Sequence, residues 1–358
     1  MSTGFGRFWG ISPAITASRP GHHSLSKRPS VGREGVRLEG RLVGVFGSEA
    51  TSKSALLGAV TKKAEVEGAL TVSKRVEGGI NYSFLDDTQF PEKVQGYSRI
   101  ASISDHALYV LPKFGKISPP DGELAVIIDA FGLEGSIVAV DEDPPSGIGA
   151  YFKGTRLEAF QAERRSSQSS VIELATVKNG PNSPPKGTLI YIDRAFSVKG
   201  VGLVVLGFIL SGKVSIHDEL RLVPSEDKRA EVRGIQVSDV DQESVGRGLR
   251  VGLSLRGVEL KDLEKVSWLD DGSFEVRDKV VFDFSQSKFY KQGLDGRDLH
   301  LQLPGELLTC KLKAESPDAL AASLPTGAPV WQGMRVAVVD LNGKNLRVAG
   351  GGVSRAPA

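Results

Sequence analysis

Between residue 39 and about residue 175, short apolar runs alternate with stretches of helical periodicity. Residues 41–46 and 136–140 are almost entirely apolar, which is typical of strands buried on both faces of a sheet. Residues 53–63 place their aliphatic side chains on one side of a helix. Strands and helices that alternate at this spacing predict a parallel α/β sheet.

The remaining elements of this first part follow from the same patterns. Residues 80–85 and 107–111 are predicted as strands, and residues 91–102 and 122–130 as helices. The first of these helices is expected to begin at its proline, which is well tolerated in the first turn.

The second part of the chain has a different pattern. Residues 178–187 contain three prolines and two glycines and are predicted to be a linker. Beyond them, apolar and polar residues alternate in short runs between glycine turns, and only residues 317–323 have a helical period. Strands at this spacing predict two small β-barrels, with a break near residues 270–272.

Composition agrees with several globular domains. A chain of 358 residues is long enough for two or three of them, and 40% hydrophobic with 25% charged residues is an ordinary globular balance. Residues 1–33 contain no acidic residue, so residues 1–35 are predicted to be a disordered basic tail. The predicted domains are an α/β domain over 36–177, a linker over 178–187, and barrels over 188–272 and 273–358.

Several classes of function are excluded by composition. Cys310 is the only cysteine, and the five histidines lack the spacing of metal ligands, so no cysteine-based metal site is expected. No apolar run approaches the roughly 18 residues that a membrane span needs. With a net charge of +2, the chain as a whole is not a polycation. We therefore expect a soluble, cytoplasmic protein with no membrane partner and no DNA partner.

The segment over residues 47–54 is the first candidate for chemistry. It follows a predicted strand and opens a predicted helix, and it carries Gly47, Lys53 and Ser54 in the order of a phosphate-binding loop. The second glycine of that motif is replaced by Ser52. The segment is therefore either a nucleotide-binding loop or an ordinary strand–turn–helix corner with a solvated lysine.

A second glycine-rich segment covers residues 200–207. Its spacing is superficially that of a dinucleotide fingerprint, but it lies between predicted strands and opens no helix. It is predicted to be a hairpin in a barrel.

A series of short sequence segments in the predicted barrels resembles the translational GTPases of the elongation factor Tu class. The closest resemblance is to archaeal-type SelB, the selenocysteine-specific elongation factor, and it extends roughly over residues 36–358 without that family's fourth domain. The sequence segments on which this resemblance rests are residues 193–213, 218–224, 231–236, 248–258 and 346–352. The resemblance implies a P-loop GTPase-like domain followed by two β-barrels.

The resemblance also assigns the residues that would bind a nucleotide. The phosphate loop falls on Gly47, Lys53 and Ser54, and the Asp-x-x-Gly motif begins at Asp86. Asp143 is what remains of the guanine-reading motif. If a nucleotide binds, it is GTP or GDP with Mg²⁺, and Ser54 is the implied metal ligand.

Several family motifs are damaged. Gln89 stands in place of the glycine that senses the γ-phosphate, and Phe90 stands where the family has its water-orienting histidine, so no catalytic residue is predicted. Residues 77–81 are the nearest counterpart of the first switch, and residues 175–177 are an unrecognisable remnant of the last motif. These departures predict a degenerate GTPase domain with weak or no nucleotide binding.

The first barrel retains a family feature. In the selenocysteine branch, an Asp-Arg or Asp-His pair and a later arginine form a basic aminoacyl pocket, which falls here on Asp193, Arg194 and Arg250. The same residues also suit ordinary packing and turn roles in a barrel.

Three hypotheses follow. The first is an elongation factor-like protein that binds the ribosome or aminoacyl-tRNA through its barrels, with impaired or absent GTP hydrolysis. The second is an active GTPase with non-standard motifs. The third is a regulator that binds only proteins.

Overall fold

The computed structural model describes residues 39–61, 64–164, 168–175 and 186–356. The predicted tail over residues 1–35 and most of the predicted linker lie outside the described residues. The predicted domain boundaries therefore remain predictions, and the three units below are defined only by the described secondary structure.

The first unit, called the α/β unit (residues 39–175), contains a seven-stranded mixed sheet with the strand order β2-β3-β4-β1-β5-β6-β7. Strands β4, β1, β5, β6 and β7 are parallel, and β2 and β3 are antiparallel additions at one edge. Its elements are β1 (Glu39–Phe46), α1 (Ala50–Val60), β2 (Ala64–Glu67), β3 (Leu70–Glu77), β4 (Ile80–Asp87), α2 (Gln95–Ile103), β5 (His106–Val110), α3 (Pro119–Ala130), β6 (Gly135–Ala139), β7 (Gln161–Arg164) and α4 (Gln168–Leu174).

The helices cover both faces of this sheet. Leu56 and Val60 of α1 share a buried cluster with Val171 of α4, whereas Ile100 of α2 and Leu124 of α3 belong to the core on the opposite face. The strands between them are buried on both sides, which explains why their sequences are continuously apolar. The predicted α/β sheet is confirmed, with a parallel part of five strands and two antiparallel strands that were not predicted.

The edge of the sheet differs from the prediction. Residues 77–81 contain the two-residue turn of the β3–β4 hairpin and the strand ends beside it, and the turn residues Gly78 and Gly79 have φ of 57° and 81°. Two consecutive residues with positive φ produce the twist that joins antiparallel strands, and glycine adopts this conformation without a steric penalty. The segment taken as the nearest counterpart of a switch is therefore a hairpin turn.

Helix boundaries also differ from the predictions. α1 begins at Ala50, three residues before the predicted start, and α2 begins at Gln95, four residues after the predicted start. α3 begins at Pro119 because Ser118 and Asp121 form a capping box, in which the Asp121 carboxylate accepts from the Ser118 amide at 2.9 Å.

The second unit, called the first barrel (residues 188–270), is an antiparallel sheet with the order β11-β16-β8-β9-β15-β12-β13, closed by a further pairing of β11 with β12. Val201 donates to the Val198 carbonyl at 3.1 Å in the β8–β9 turn, so the predicted hairpin at residues 200–207 is confirmed. The strands are β8 (Leu189–Val198), β9 (Gly202–Ser211), β10 (Lys213–Ser215), β11 (Glu219–Val223), β12 (Ser225–Val237), β13 (Val240–Gln242), β14 (Ser244–Gly246), β15 (Arg250–Arg256) and β16 (Trp268–Asp270).

The third unit, called the second barrel (residues 275–354), is a closed barrel with the order β17-β20-β19-β18-β21-β22. Residues 317–323, predicted to be helical, are a turn and the start of a strand. Pairing with neighbours on both sides outweighs the helix propensity of the alanines there. The strands are β17 (Glu275–Gln286), β18 (Leu299–Gln302), β19 (Leu307–Ser316), β20 (Ala319–Val330), β21 (Arg335–Val339) and β22 (Val348–Ser354).

Polar contacts connect the α/β unit to both barrels. Asp105 forms an ion pair with Arg247 of the first barrel, and Ser102 accepts from the Gly305 amide of the second barrel at 2.9 Å. The predicted class, a GTPase-like α/β sheet followed by two β-barrels, is confirmed. None of the described helices is long and apolar enough to cross a membrane.

Candidate functional site

Lys53 and Asp86 meet at the carboxyl ends of the parallel strands, where a nucleotide would bind in this fold. Nζ of Lys53 lies 2.7 Å from Oδ1 of Asp86, 2.6 Å from the Tyr97 hydroxyl and 3.2 Å from the Asp87 carbonyl. An ammonium group has three protons, and these three acceptors use all of them. The lysine that the sequence assigns to phosphate is 4% exposed and bound to its own protein.

Tyr97 of α2 completes this buried cluster. Its ring stacks on Phe46 at 5.2 Å between centroids and meets the edge of Phe90 at the same distance. Burial, reinforced by the negative charge of Asp86, raises the pKa of Tyr97 well above its usual value, so the hydroxyl stays protonated. It donates to Oδ1 of Asp86 at 2.7 Å. The Tyr97 hydroxyl thus bridges the Asp86 carboxylate and the Lys53 ammonium group.

Asp87 stabilises the turn that follows β4. Its Oδ1 accepts from the Gln89 amide at 2.9 Å, so the N–H at the position of the family's γ-phosphate sensor already has a partner. A Cβ on Gly96 would lie 1.9 Å from Oδ2 of Asp87, so a side chain at this point of α2 would displace the Asp87 carboxylate. Phe90 is buried against Tyr97 and carries no polar atom that could orient water.

The loop between β1 and α1 is short. Only Gly47, Ser48 and Glu49 separate the strand from the helix, so Lys53 is the fourth helical residue. A Cβ on Gly47 would lie 2.9 Å from the Val110 carbonyl, which accounts for the glycine by packing alone. Ser54, the implied magnesium ligand, is the fifth helical residue and is exposed.

Glu49 provides an anion at the start of α1. Its Oε2 accepts from the Ser52 hydroxyl at 2.5 Å and from the Lys113 amide at 2.8 Å. These hydrogen bonds, that of Ser52 first, lower the pKa of Glu49 and keep it ionised. A helix N-terminus favours negative charge, and here the chain's own carboxylate supplies it. With Lys53 bound to Asp86 and with Glu49 in the loop, these residues do not fit a nucleoside triphosphate with its magnesium ion.

Asp143 lies apart from this cluster. Its side chain is 84% exposed, and its nearest charged partner is Nη1 of Arg164 at 3.9 Å. The neighbouring Glu142 accepts from the Phe114 amide instead. Of the five residues assigned to nucleotide, the structure thus brings Lys53 and Asp86 into contact and leaves Asp143 and Ser54 at the surface.

The predicted pocket of the first barrel is partly assembled. Nη2 of Arg250 lies 3.0 Å from Oδ2 of Asp193, and the guanidinium lies 5.7 Å from the centre of the Phe208 ring. Arg194 points elsewhere, with its guanidinium 5.9 Å from the Phe196 ring. The role of these three residues as an aminoacyl pocket stays a prediction.

Glu65 of the α/β unit occupies the other side of Arg250. Its Oε2 lies 2.7 Å from Nη1 of Arg250, and its Oε1 lies 2.9 Å from Nζ of Lys74. The guanidinium of Arg250, 3% exposed, is thus held between carboxylates of two different units.

Sequence reasoning missed three residues of these sites. Glu49 could have been found from the sequence, because it is a carboxylate within the candidate phosphate-binding loop over residues 47–54. Tyr97 and Glu65 carried no such signal, because their roles depend on the packing of α2 and on an edge strand of four residues.

Comparison with known proteins yields relatives among archaea, although no protein-family model matches the chain. An uncharacterized protein of Methanocaldococcus jannaschii is 26% identical over 274 residues, which are 75% of this chain and 86% of that protein. The selenocysteine-specific elongation factor of the same organism is 33% identical over 134 residues, 37% of this chain and 28% of the factor. The chain thus matches less than a third of the length of that factor.

A solved structure extends this similarity to most of the fold. Translation elongation factor SelB from Methanococcus maripaludis, in complex with the GTP analogue GppNHp, superimposes with a TM-score of 0.71 at 21% identity, covering 89% of this chain and 79% of that one. The resemblance to the SelB-like branch of the elongation factor Tu class is therefore confirmed in sequence and in fold.

Proposed function

We propose that this protein is an elongation factor-like protein of the cytoplasm that binds the ribosome or aminoacyl-tRNA through its barrels. Its α/β unit then serves as a scaffold and does not hydrolyse GTP. The observation that carries the proposal is the engagement of all three Lys53 protons by Asp86, Asp87 and Tyr97.

This engagement opposes nucleotide binding. To reach a phosphate, Lys53 would have to leave Asp86, whose side chain is 11% exposed. Leaving one partner of a buried ion pair without its counter-charge costs about 3–5 kcal/mol, and the contact of Lys53 with a phosphate would have to offset this cost. Glu49 adds a negative charge where the phosphates would lie, and this charge repels them.

The absence of a water-orienting side chain at Phe90 opposes hydrolysis in the same way. Phosphoryl transfer depends on positioning and on charge stabilisation, and a phenyl ring supplies neither. GTP or GDP with Mg²⁺ is therefore not expected as a resident cofactor.

The barrels support the binding half of the proposal. Most of the sequence segments that resemble translation factors lie in the first barrel, over residues 193–213, 218–224, 231–236 and 248–258.

Filter binding with labelled aminoacyl-tRNA and with purified ribosomes at low salt tests the proposal, because RNA contacts weaken steeply as salt rises. We expect saturable binding of at least one of the two, unaffected by added GTP. Absence of both interactions would refute the proposal, and binding that requires GTP would refute its scaffold part.

The second candidate is a GTPase with non-standard motifs. The contact between Lys53 and Asp86 at the strand ends favours it, since both residues stand where the GTPase fold uses them. It predicts micromolar GTP binding that is lost in Lys53→Ala, together with measurable phosphate release.

A further inference from the structure

A cleft runs between the α/β unit and the second barrel. It consists of one cavity of about 540 Å³ and another of about 450 Å³, and Val126 of α3 forms part of the wall of both. The cleft lies outside the Lys53 cluster and outside the Arg250 pocket, so neither site described above uses it.

Two exposed aromatic rings, one from each unit, line the smaller cavity. Tyr151 of the α/β unit is 69% exposed, and Phe289 of the second barrel is 45% exposed. Each ring has a lysine close by in sequence: Lys153 lies in the same cavity wall, and Nζ of Lys288 lies 5.1 Å from the centre of the Phe289 ring.

The larger cavity continues this surface with further cations. Arg156, Lys288 and Arg335 line it, and a Cβ on Gly154 would lie 1.5 Å from Nζ of Lys288, so this lysine reaches across the cleft. Arg156 and Arg335 line the same cavity, and burial together with the like charge of Arg156 lowers the pKa of Arg335.

The acidic residues of the cleft are largely engaged elsewhere. Glu123 forms an ion pair with Arg347, and Asp283 forms one with Arg355. Asp129 accepts from the Arg156 amide at 3.2 Å, which does not neutralise it, so Asp129 and Asp318 remain as carboxylates in the cavity walls, against the cations Lys153, Arg156, Lys288 and Arg335. The basic groups of the cleft therefore outweigh its uncommitted acids.

We propose that this cleft binds a single-stranded segment of RNA. Bases stack on the rings of Tyr151 and Phe289, and the phosphates pair with Lys153, Lys288 and the two arginines. Alternation of aromatic rings with cations is how proteins bind single strands without reading their sequence. A run of acidic residues would use the cations but has no flat groups to stack on both rings.

The inference shares its class of partner with the proposed function, RNA, but locates it on a surface to which the α/β unit contributes. The scaffold would then be part of the binding surface rather than only a support for the barrels.

Fluorescence anisotropy with a labelled single-stranded RNA of about 12 nucleotides, a length within the range of known single-strand sites, tests the proposal. We expect Tyr151→Ala and Phe289→Ala each to weaken binding by roughly fivefold to a hundredfold, the range measured for loss of one stacked base. Lys288→Gln is expected to lower the slope of log affinity against log salt by about 0.7.

Phe114→Ala is the matched control. Phe114 is 72% exposed, has a lysine next to it and lies outside the walls of the cleft, so its removal is expected to leave binding unchanged. Thermal unfolding of each variant verifies that it is folded. We expect all of them to fold, because these exposed side chains contribute little to stability.

The outcomes separate this inference from the proposed function. If tRNA or ribosomes bind but the cleft variants behave like Phe114→Ala, the inference is wrong and the proposed function stands. If the oligonucleotide binds, the cleft variants lose this binding, and neither tRNA nor ribosomes bind, the inference stands and the proposed function is wrong. Poly-glutamate that binds the cleft in place of RNA would also overturn the inference.

Discussion

At the scale of single residues, the protein uses nucleotide-site side chains for its own structure. Lys53 and Asp86 occupy positions that the sequence assigned to nucleotide binding, and they bind each other instead. Their identity and closeness were predictable from the motif. Their engagement was not, because it depends on Tyr97, which reaches them from a helix whose start the sequence misplaced.

Tyr97→Phe tests the structural role of this cluster. The substitution keeps the ring but removes the hydroxyl that bonds both Lys53 and Asp86, so we expect a loss of about 1–3 kcal/mol in the free energy of unfolding. Urea denaturation measures it. Tyr151→Phe, at an exposed ring, is the control, and equal effects of the two substitutions would contradict the account.

His106 makes stability depend on pH. Burial lowers the pKa of this imidazole to about 4, against an ordinary value near 6.5. The unfolded chain therefore takes up the proton first, and stability is lost as the pH falls from about 6.5 towards 4, by about 2 kcal/mol at pH 5.

Denaturation of the wild type and of His106→Gln at pH 7 and pH 5 isolates this contribution, because glutamine does not titrate. We expect a smaller fall in stability for the variant. An identical fall in both proteins would show that His106 does not titrate in this range.

At the scale of elements, long apolar strands were predictable and short or polar ones were not. β1, β5 and β6 are buried on both faces, so their sequences alone identify them. β2 has four residues and lies at a sheet edge, and its place depends on the pairing with β3 and on the contact of Glu65 with Arg250.

Glu65→Gln tests the contact between this edge and the first barrel. Arg250 keeps Asp193 but loses one of its two carboxylates, and since Glu65 is a third exposed we expect a loss of only about 1 kcal/mol in unfolding free energy. Glu77→Gln, which breaks an exposed pair with Arg75, is expected to change stability by less than about 0.5 kcal/mol. No difference between these variants in denaturation would contradict the role of Glu65.

At the scale of the whole molecule, the α/β unit is joined to both barrels by buried ion pairs. Arg347 of the second barrel binds Glu123 and also donates to the Pro91 and Glu92 carbonyls beside β4. The sequence predicted three units, but it could not predict these pairs, because each joins residues far apart in the chain.

Arg347→Met tests how strongly the units are coupled. Glu123 is 7% exposed, so removal of its partner leaves a buried charge, with an expected loss of about 3–5 kcal/mol. The double variant with Glu123→Gln is expected to lose less than the sum of the two single variants. Additive losses in a double-mutant cycle would show that the pair is not coupled.

The central claim is that the α/β unit does not bind a guanine nucleotide. Equilibrium titration of the purified protein with GTP and GDP in the presence of Mg²⁺ tests it most directly, with ATP as the reference for non-specific binding. The account predicts no saturable binding and no difference between the wild type and Lys53→Ala. Micromolar binding of GTP that Lys53→Ala abolishes would contradict it.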